Sequence, residues 1–423
     1  MDILSQLGEI FTGFSVLAHS PWQTTCVRIL LVFLGFLMIY LGRKGILEAL
    51  LMIPMGLGMA VINVSGMFFD PVAILEGKTP DPQKIGTLFL DSTVSDNMQL
   101  MSLMQVDWLQ PIYTLAFSNG LIACLIFVGI GSLLDIGFVM ARPYVSMFLA
   151  LFAELGTFLT LPIAAIFYPD LGKAASIALV GGADGPMVLF GSLKMAPDLF
   201  VPITIVAYLY LGLCYGGYPY LVKLLIPKKL IGLKMPPEKP RKPITSGQKM
   251  VFAAVASAVL SFLFPVASPL IFSLFLGITI RESGLEKFQY IVSEIVLYGS
   301  TLMLGLLLGV LCEAETIMKP EVLPLLLLGI LSLLLSGIGG IIGGYAMYFL
   351  SGRKFNPVIG LAGVSCVPSC AKVAQKCVAK VNPGSIIMPY ALGANICGVI
   401  TTAIIAAVYM SLIKNLSLNK DLK

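Results

Sequence analysis

The chain has 423 residues, 58% of them hydrophobic and only 12% charged, with a formal net charge of +5. A soluble domain averages about 45–50% apolar and about 25% charged residues. With a mean hydropathy of +0.95, this composition excludes a soluble globular enzyme, a disordered chain and a nucleic-acid binder.

What remains is an all-α, polytopic membrane protein, because long apolar runs must satisfy their backbone groups internally. The runs are continuous rather than alternating, which sets aside an outer-membrane barrel. The first two are 25–42 and 46–68, with Arg43 and Lys44 between them. An acid-rich segment, 69–110, follows, so 1–110 reads as a transmembrane pair and an external segment. No positively charged leader or small-residue cleavage site opens the chain, so no cleaved signal peptide is expected. Residues 111–222 hold the runs 111–139, 144–168, 174–196 and 198–222. A basic, proline-rich linker then spans 223–249, with Lys228, Lys229, Lys234, Arg241 and Lys242 among its cations; the excess of Lys and Arg places it in the cytoplasm. Residues 250–284 read as a short helical pair around Pro265 and Pro269. Residues 285–413 hold the runs 286–312, 321–350, 355–380 and 384–413, and 414–423 form a tail.

The stretches 111–222 and 285–413 resemble one another in the order of their features. Gly131 and Asp135 precede Met140-Ala-Arg-Pro143; Gly309 and Glu313 precede Met318-Lys-Pro320. An apolar helix follows each proline. A glycine-rich break comes next, Gly182-Ala-Asp-Gly185 in one and Gly360-Leu-Ala-Gly363 in the other, and a long helix closes each. If Arg43, Lys44 and 223–249 all lie inside, 174–196 cannot cross and must dip in from outside; 355–380 must dip in from inside. The expected architecture is two inverted repeats, each with a re-entrant broken segment, and a binding site near the midplane where the breaks lie.

Gly181-Gly-Ala-Asp-Gly-Pro186 carries the strongest local signal. An Asp at membrane depth costs a few kcal/mol and is normally retained to hold a cation or relay a proton. Flanking glycines and Pro186 free backbone carbonyls, and carbonyls with one carboxylate suit a hard monovalent cation such as Na⁺. Asn356, Ser365 and Asn395 add neutral oxygens; helix capping is the plainer reading of Asn356 and packing that of Ser365. Tyr208 and Tyr210 follow on the next helix, with aromatic packing the plain reading and proton transfer the alternative. Glu154 lies inside an apolar run as a second proton site or a neutral hydrogen-bonded acid, and Glu294 is a weaker counterpart. Lys372 could attract an anionic group at the cytoplasmic mouth. The only histidine, His19, precedes the first run, which argues against a buried histidine base. Cys366, Cys370 and Cys377 could share a helix face, but with no histidine among them a metal site is weak and apolar packing is the plainer reading.

At these residues the sequence resembles the integral-membrane beta subunit of the sodium-pumping, biotin-dependent decarboxylases, which act on oxaloacetate, methylmalonyl-CoA, glutaconyl-CoA or malonate. The matches are Gly181-Gly-Ala-Asp-Gly-Pro186, Lys194 with Ala196-Pro197, Ala207-Tyr-Leu-Tyr210, Arg281-Glu-Ser-Gly284, Asn356-Pro357 with Ala362-Gly-Val-Ser365-Cys-Val-Pro368, and Gly393-Ala-Asn395. The resemblance implies sodium binding by Asp184, Asn356, Ser365 and Asn395, and proton delivery by Tyr210. It implies decarboxylation of carboxybiotin coupled to Na⁺ export with consumption of a proton. It further implies a soluble carboxyltransferase alpha subunit, a biotin carrier, a small membrane gamma or delta subunit, a homotrimeric core and residence in the inner cell membrane. No Ala-Met-Lys-Met biotin-attachment motif is present, so the biotin is expected on a partner. Three positions depart from the family pattern: Met187 for a small polar residue, Lys372 for Arg, and Glu154 for Gln. Two rivals are a Na⁺-coupled carboxylate transporter without covalent chemistry and a non-catalytic scaffold for a soluble carboxyltransferase.

Overall fold

A computed structural model of the chain describes residues 22–65, 109–236, 244–366 and 368–421. The opening segment with His19, most of the acid-rich segment 69–110 and the middle of the linker lie outside the described residues. Among the described residues the secondary structure is helical, with no strand. Seven helices among the described residues are long and apolar enough to cross a membrane, and an eighth span is a bent pair, Phe200–Gly212 and Cys214–Leu225. The chain is an all-α, multi-pass membrane protein.

The described chain forms two compact units. The first contains α1 (Trp22–Arg43) and α2 (Ala49–Ser65), which pack as a pair at Gly35 and Gly56. Small residues at such a crossing let two backbones approach, which is the main source of helix adhesion where lipid removes the hydrophobic drive. Within this unit Asn63 is buried and fully paired: its amide donates to the Met59 and Cys312 carbonyls and its oxygen accepts from Ala314 N–H at 3.1 Å.

Residues up to Ile122 and Ser300–Leu323 also belong to the first unit, and Ala123–Gly299 with Pro324–Lys423 form the second. The expected single run 111–139 is interrupted: a π-type turn, Tyr113–Phe117, ends before Gly120, whose φ is +79°. Asn119 caps the helix that follows, α3 (Leu121–Leu133), by accepting from Leu121 N–H. The turn needs a left-handed residue, and glycine takes it at no steric cost. Next come α4 (Pro143–Ala153) and α5 (Leu155–Phe167), one apolar span divided at Glu154. Then α6 (Leu171–Ala178), a 3-10 helix (Leu179–Gly182) and α7 (Gly185–Met195) replace the run 174–196. Every residue from Ala174 to Ser192 is buried. Helix α8 (Phe200–Leu225) closes this stretch and runs into the region expected as linker.

The short pair expected at 250–284 is a hairpin of α9 (Ser246–Leu263) and α10 (Ser268–Glu282), turning through Pro265–Ala267. A capping box between Thr245 and Gln248 starts α9, satisfying two orphan amides at once. Helix α11 (Leu297–Leu311) ends the span that begins at Glu286. Helix α12 (Val322–Leu350) precedes a second 3-10 helix, Pro357–Gly363; α13 (Ser369–Val381) and α14 (Met388–Asp421) follow. The run expected over 355–380 is thus a buried 3-10 segment followed by an amphipathic helix with Lys372, Lys376 and Lys380 along its exposed side.

One charge cluster pins the hairpin to α3. Lys249 Nζ lies 2.7 Å from Asp135 and 3.2 Å from Glu282, and Arg281 donates to the Leu133 carbonyl at 3.0 Å, capping α3. Burial alone would raise the Asp135 carboxyl, but hydrogen bonds from Lys249 and the Gly137 N–H outweigh it and hold the group below the usual carboxylate range. Its contribution is therefore complete above about pH 4 and is lost as the pH falls through the lowered value. Lys249→Met is expected to cost about 2 kcal/mol, because it leaves two partly buried carboxylates to Arg281 alone, at 3.7 and 3.5 Å. A drop of several degrees in apparent melting temperature in detergent checks this. Lys173→Met, which breaks a pair with the exposed Asp198, is expected to cost under about 1 kcal/mol.

Candidate functional site

The first break is built around Asp184. Helix α6 starts on an Asp170 cap and gives way to 3-10 geometry at Leu179, where Gly181 and Gly182 weaken the helix. Ala183 is left-handed, at φ 55°, a conformation costing about 1 kcal/mol for a residue with a Cβ. Asp184 is then extended and caps α7, its Oδ1 accepting from Met187 N–H at 3.4 Å. Pro186 sits in the first turn of α7, where a missing N–H costs nothing. The Asp184 side chain is 5% exposed.

The carbonyls freed by this break are met by hydroxyls from other elements. Ser336 Oγ on α12 donates to the Gly181 carbonyl at 2.6 Å, and Ser332 Oγ approaches the Ala178 carbonyl at 3.4 Å. The Gly182 carbonyl accepts both the hydroxyl and the N–H of Ser365. Ser365 follows the second break, so this contact joins the two breaks directly across 183 residues of sequence.

The second break is held from two sides. Asn356 caps the 3-10 helix through its Oδ1, and its amide donates to the Ile231 and Leu233 carbonyls at 2.9 and 2.8 Å. Both its amide hydrogens are spent on this loop, and its Oδ1 accepts from Val358 N–H. Asn395 on α14 donates to the Ala362 and Val364 carbonyls at 3.0 and 2.7 Å. Its Oδ1 is buried with no partner among the described residues, so an acceptor oxygen is left over beside the segment that carries Ser365. Glycines let the segment approach α12: a Cβ on Gly340 would meet Gly360 and one on Gly344 would meet Pro357.

A second carboxyl belongs to this cluster. Glu154 is 1% exposed. Its Oε2 accepts from Thr157 Oγ1 at 2.6 Å and its Oε1 meets Thr402 Oγ1. Thr402 Oγ1 is also 3.0 Å from Ser365 Oγ. Glu154 and Asp184 interact electrostatically. Neither has an ion pair among the described residues.

The tyrosines divide. Tyr208 is buried with its ring against Gly185, leaving no room for a Cβ there, and its hydroxyl has no partner among the described residues. It also interacts electrostatically with Asp184. The Tyr210 hydroxyl donates to the Leu326 carbonyl at 3.0 Å. Lys372 is exposed on α13, and Glu294 lies in a π-type turn, Ile291–Val296. The structure thus gathers Asp184, Ser365, Asn395, Glu154 and Tyr208, and gives Asn356, Tyr210 and Lys372 other surroundings.

Thr402, Thr157 and Ser336 were not singled out from sequence. The signal was present as hydroxyls inside apolar runs, Thr157 three residues after Glu154 and Ser332 and Ser336 one helical turn apart. Short hydroxyl side chains are too common in membrane helices for that signal to stand alone.

Chemically the cluster offers carboxylate, hydroxyl, amide and carbonyl oxygens only, a set that matches a hard cation. Among the described residues no group of three His, Cys, Asp or Glu side chains is placed to hold a metal, and Cys366, Cys370 and Cys377 are buried and form no disulfide. A groove of about 600 Å³ lies elsewhere, lined by Val251, Phe252, Val255, Phe275, Ile400 and Ile404. It has no charged group to orient a substrate.

The cap from Asn395 makes a testable structural claim. Asn395→Ala removes two buried donors, and the stranded carbonyls are expected to cost about 2 kcal/mol. Amide hydrogen exchange across 357–366 should accelerate about thirtyfold relative to the unaltered chain.

Comparison with known proteins covers the stretch that holds this cluster. The family model described as the Na⁺-transporting oxaloacetate decarboxylase beta subunit matches residues 27–413. A carboxybiotin decarboxylase of Malonomonas rubra is 50% identical over 96% of this chain and 98% of its own length. The methylmalonyl-CoA decarboxylase subunit beta of Veillonella parvula is 35% identical over 69% of this chain and 77% of its own. The oxaloacetate decarboxylase beta chain of Klebsiella pneumoniae is 30% identical over 96% and 99%.

Proposed function

The chain belongs to the family of Na⁺-transporting oxaloacetate decarboxylase beta subunits, and on that premise we propose that it decarboxylates carboxybiotin presented by a partner and couples this to Na⁺ export. The observation that carries the reading is the junction of the two breaks. Ser365 binds Gly182 beside a buried Asp184 that has no basic partner among the described residues. A buried carboxylate of this kind takes a cation or a proton.

In this reading Asp184, Ser365 and Asn395 hold Na⁺, with the unpartnered Asn395 oxygen as one ligand. Asn356 supports the site by fixing the 3-10 segment. Cleavage of the N–carboxylate bond releases CO₂ and leaves the electron pair on the ring nitrogen, which takes up one proton. Tyr210 delivers that proton by the family resemblance; Tyr208 is the phenol that lies against the Asp184 motif. Lys372 draws the carboxylate toward the site. Moving one charge against about 100 mV costs about 2.3 kcal/mol, so a modestly exergonic decarboxylation moves one or two ions. Coupling requires that loss of CO₂ change the affinity or the facing of the ion site.

The two stretches that share an element order are read as inverted repeats, with the breaks as re-entrant segments near the midplane. A soluble carboxyltransferase alpha subunit, a biotin carrier and a small gamma or delta subunit complete the assembly. A homotrimeric core in the inner cell membrane belongs to the same reading. The acyl substrate is chosen on the soluble partner.

The test is carboxybiotin decarboxylation by the purified chain in proteoliposomes, with and without Na⁺. Sodium-dependent CO₂ release with ²²Na⁺ movement is expected, both reduced at least a hundredfold in Asp184→Asn, since an uncharged ligand no longer balances the ion. Substrate-driven ²²Na⁺ uptake without CO₂ release would sink the decarboxylase reading in favour of a secondary transporter. No CO₂ release by the chain, with turnover of the complex assembled with its partners intact in Asp184→Asn, would leave only a scaffold.

A further inference from the structure

The buried polar groups of the second unit do not end at the junction. Helix α14 carries Asn395, Thr402 and Tyr409 at intervals of seven residues, two turns each, so they fall on one face. All three are buried. Asn395 caps the second break, and Thr402 touches Ser365 and Glu154. Tyr409 belongs to neither group. Its hydroxyl has no hydrogen-bond partner among the described residues, and it interacts electrostatically with Glu154. On α5, Thr157 and Thr160 follow Glu154 in steps of three residues, both fully buried. Thr160 Oγ1 also lacks a partner among the described residues. A buried hydroxyl left unpaired costs about 1–3 kcal/mol. Phenylalanine and valine would fill the same space without that cost, so packing alone does not account for either oxygen.

The direction of this line is set by the elements that hold it. The loop before α14 is tied to the basic linker: Asn382 donates to the Gly232 carbonyl and Ser385 to the Leu233 carbonyl, both at 2.9 Å. Helix α14 therefore starts on the linker's side and runs away from it. It passes Gly182, where an added Cβ would strike Thr402, and packs against α6 and α7. Helix α5 leads from Glu154 to the start of α6, where Lys173 pairs with the exposed Asp198. With the linker inside, this is the outer end. At about 1.5 Å per residue, Asn395 to Tyr409 covers about 21 Å, more than half of a hydrocarbon core about 30 Å thick.

We propose that Thr402, Tyr409 and Thr160, with Glu154 among them, line the outward path of the transported cation after it leaves the junction. This rests on the Na⁺ reading above and deepens it. A cation that leaves Asp184 needs oxygens in place of its hydration shell at each step, and this line supplies carboxyl, hydroxyl and phenol oxygens. No cationic side chain bars the way: 155–167 and 388–413 contain no Lys, Arg or His. The path is packed shut in this structure, since Ala406, between Thr402 and Tyr409 on the same face, is 0% exposed. Passage requires α14 to part from α6 and α7 during turnover, a change in the facing of the site.

The test uses the protein assembled with its partners in proteoliposomes, linker side outward. Carboxybiotin is added outside, and a trimethylammonium-bearing methanethiosulfonate that cannot cross lipid is trapped in the lumen. Ala406→Cys is expected to be modified during turnover at least tenfold faster than Ala407→Cys, which is as deeply buried on another face, after correction for the native cysteines. Modification should stop ²²Na⁺ uptake, and high luminal Na⁺ should slow it. Equal rates at both positions, modification only from the linker side, or none at rest or in turnover overturns the proposal. Tyr409→Phe keeps the ring and removes the oxygen. It is expected to raise at least about fivefold the luminal Na⁺ concentration that half-stops turnover, with the KM for carboxybiotin unchanged; an unchanged luminal Na⁺ inhibition overturns the proposal as well. If the unaltered protein shows no Na⁺-dependent turnover, the functional reading fails, and labelling of Ala406→Cys from the lumen, scored by mass, still decides whether the path opens outward.

Discussion

The constraint on which the rest of the second unit depends is the need to satisfy backbone carbonyls where no water reaches. Breaking a helix in a buried, packed segment frees several of them, and each left unpaired would cost several kcal/mol. Here the break at 179–184 is tolerated because Ser336 and Ser365 donate to Gly181 and Gly182. The break at 357–365 is tolerated because Asn395 and Asn356 hold its carbonyls and its first turn. One residue, Ser365, serves both accounts, so neither break keeps its shape without the other.

That mutual support explains the small residues around it. Gly340 and Gly344 on α12 admit the second break, and Gly185 admits the ring of Tyr208. A methyl group at any of these positions would push apart elements whose hydrogen bonds tolerate only a few tenths of an ångström. The same closeness makes an ion site possible. Carboxyl, hydroxyl and amide oxygens converge in a space that excludes water, where electrostatic interactions are strong and an uncompensated charge is costly. A change in that charge, by an ion or a proton, therefore acts on both breaks at once.

The charged residues sort by the same physics. Asp135, Lys249, Arg281 and Glu282 form a mutually compensating cluster at the ends of their helices. The lysines of α13 lie on its exposed side. Only Asp184 and Glu154 sit deep with no cation among the described residues. They are also the carboxyls next to the junction, where a charge can do work on a bound ion.

Much was legible in the sequence by itself. Apolar runs set the helices, because nothing else satisfies a backbone in lipid, and Gly181-Gly-Ala-Asp-Gly-Pro186 marked a break, because glycine and proline both disfavour a continuous helix. Asp184, Ser365, Asn395 and Glu154 stood out as polar groups with no business in apolar runs. The run 111–139 concealed its interruption at Asn119 and Gly120, since one such pair weighs little against a long apolar stretch. What only the tertiary structure decided was pairing: that Ser365 meets Gly182, that Thr402 links it to Glu154, that Tyr208 lies on the Asp184 motif while Tyr210 turns to Leu326, and that Asn356 spends its amide on 231–233. Sequence patterns report which groups cannot face lipid. Which partner each one finds is settled by helices that pack across nearly two hundred residues of separation, and no local spacing encodes that.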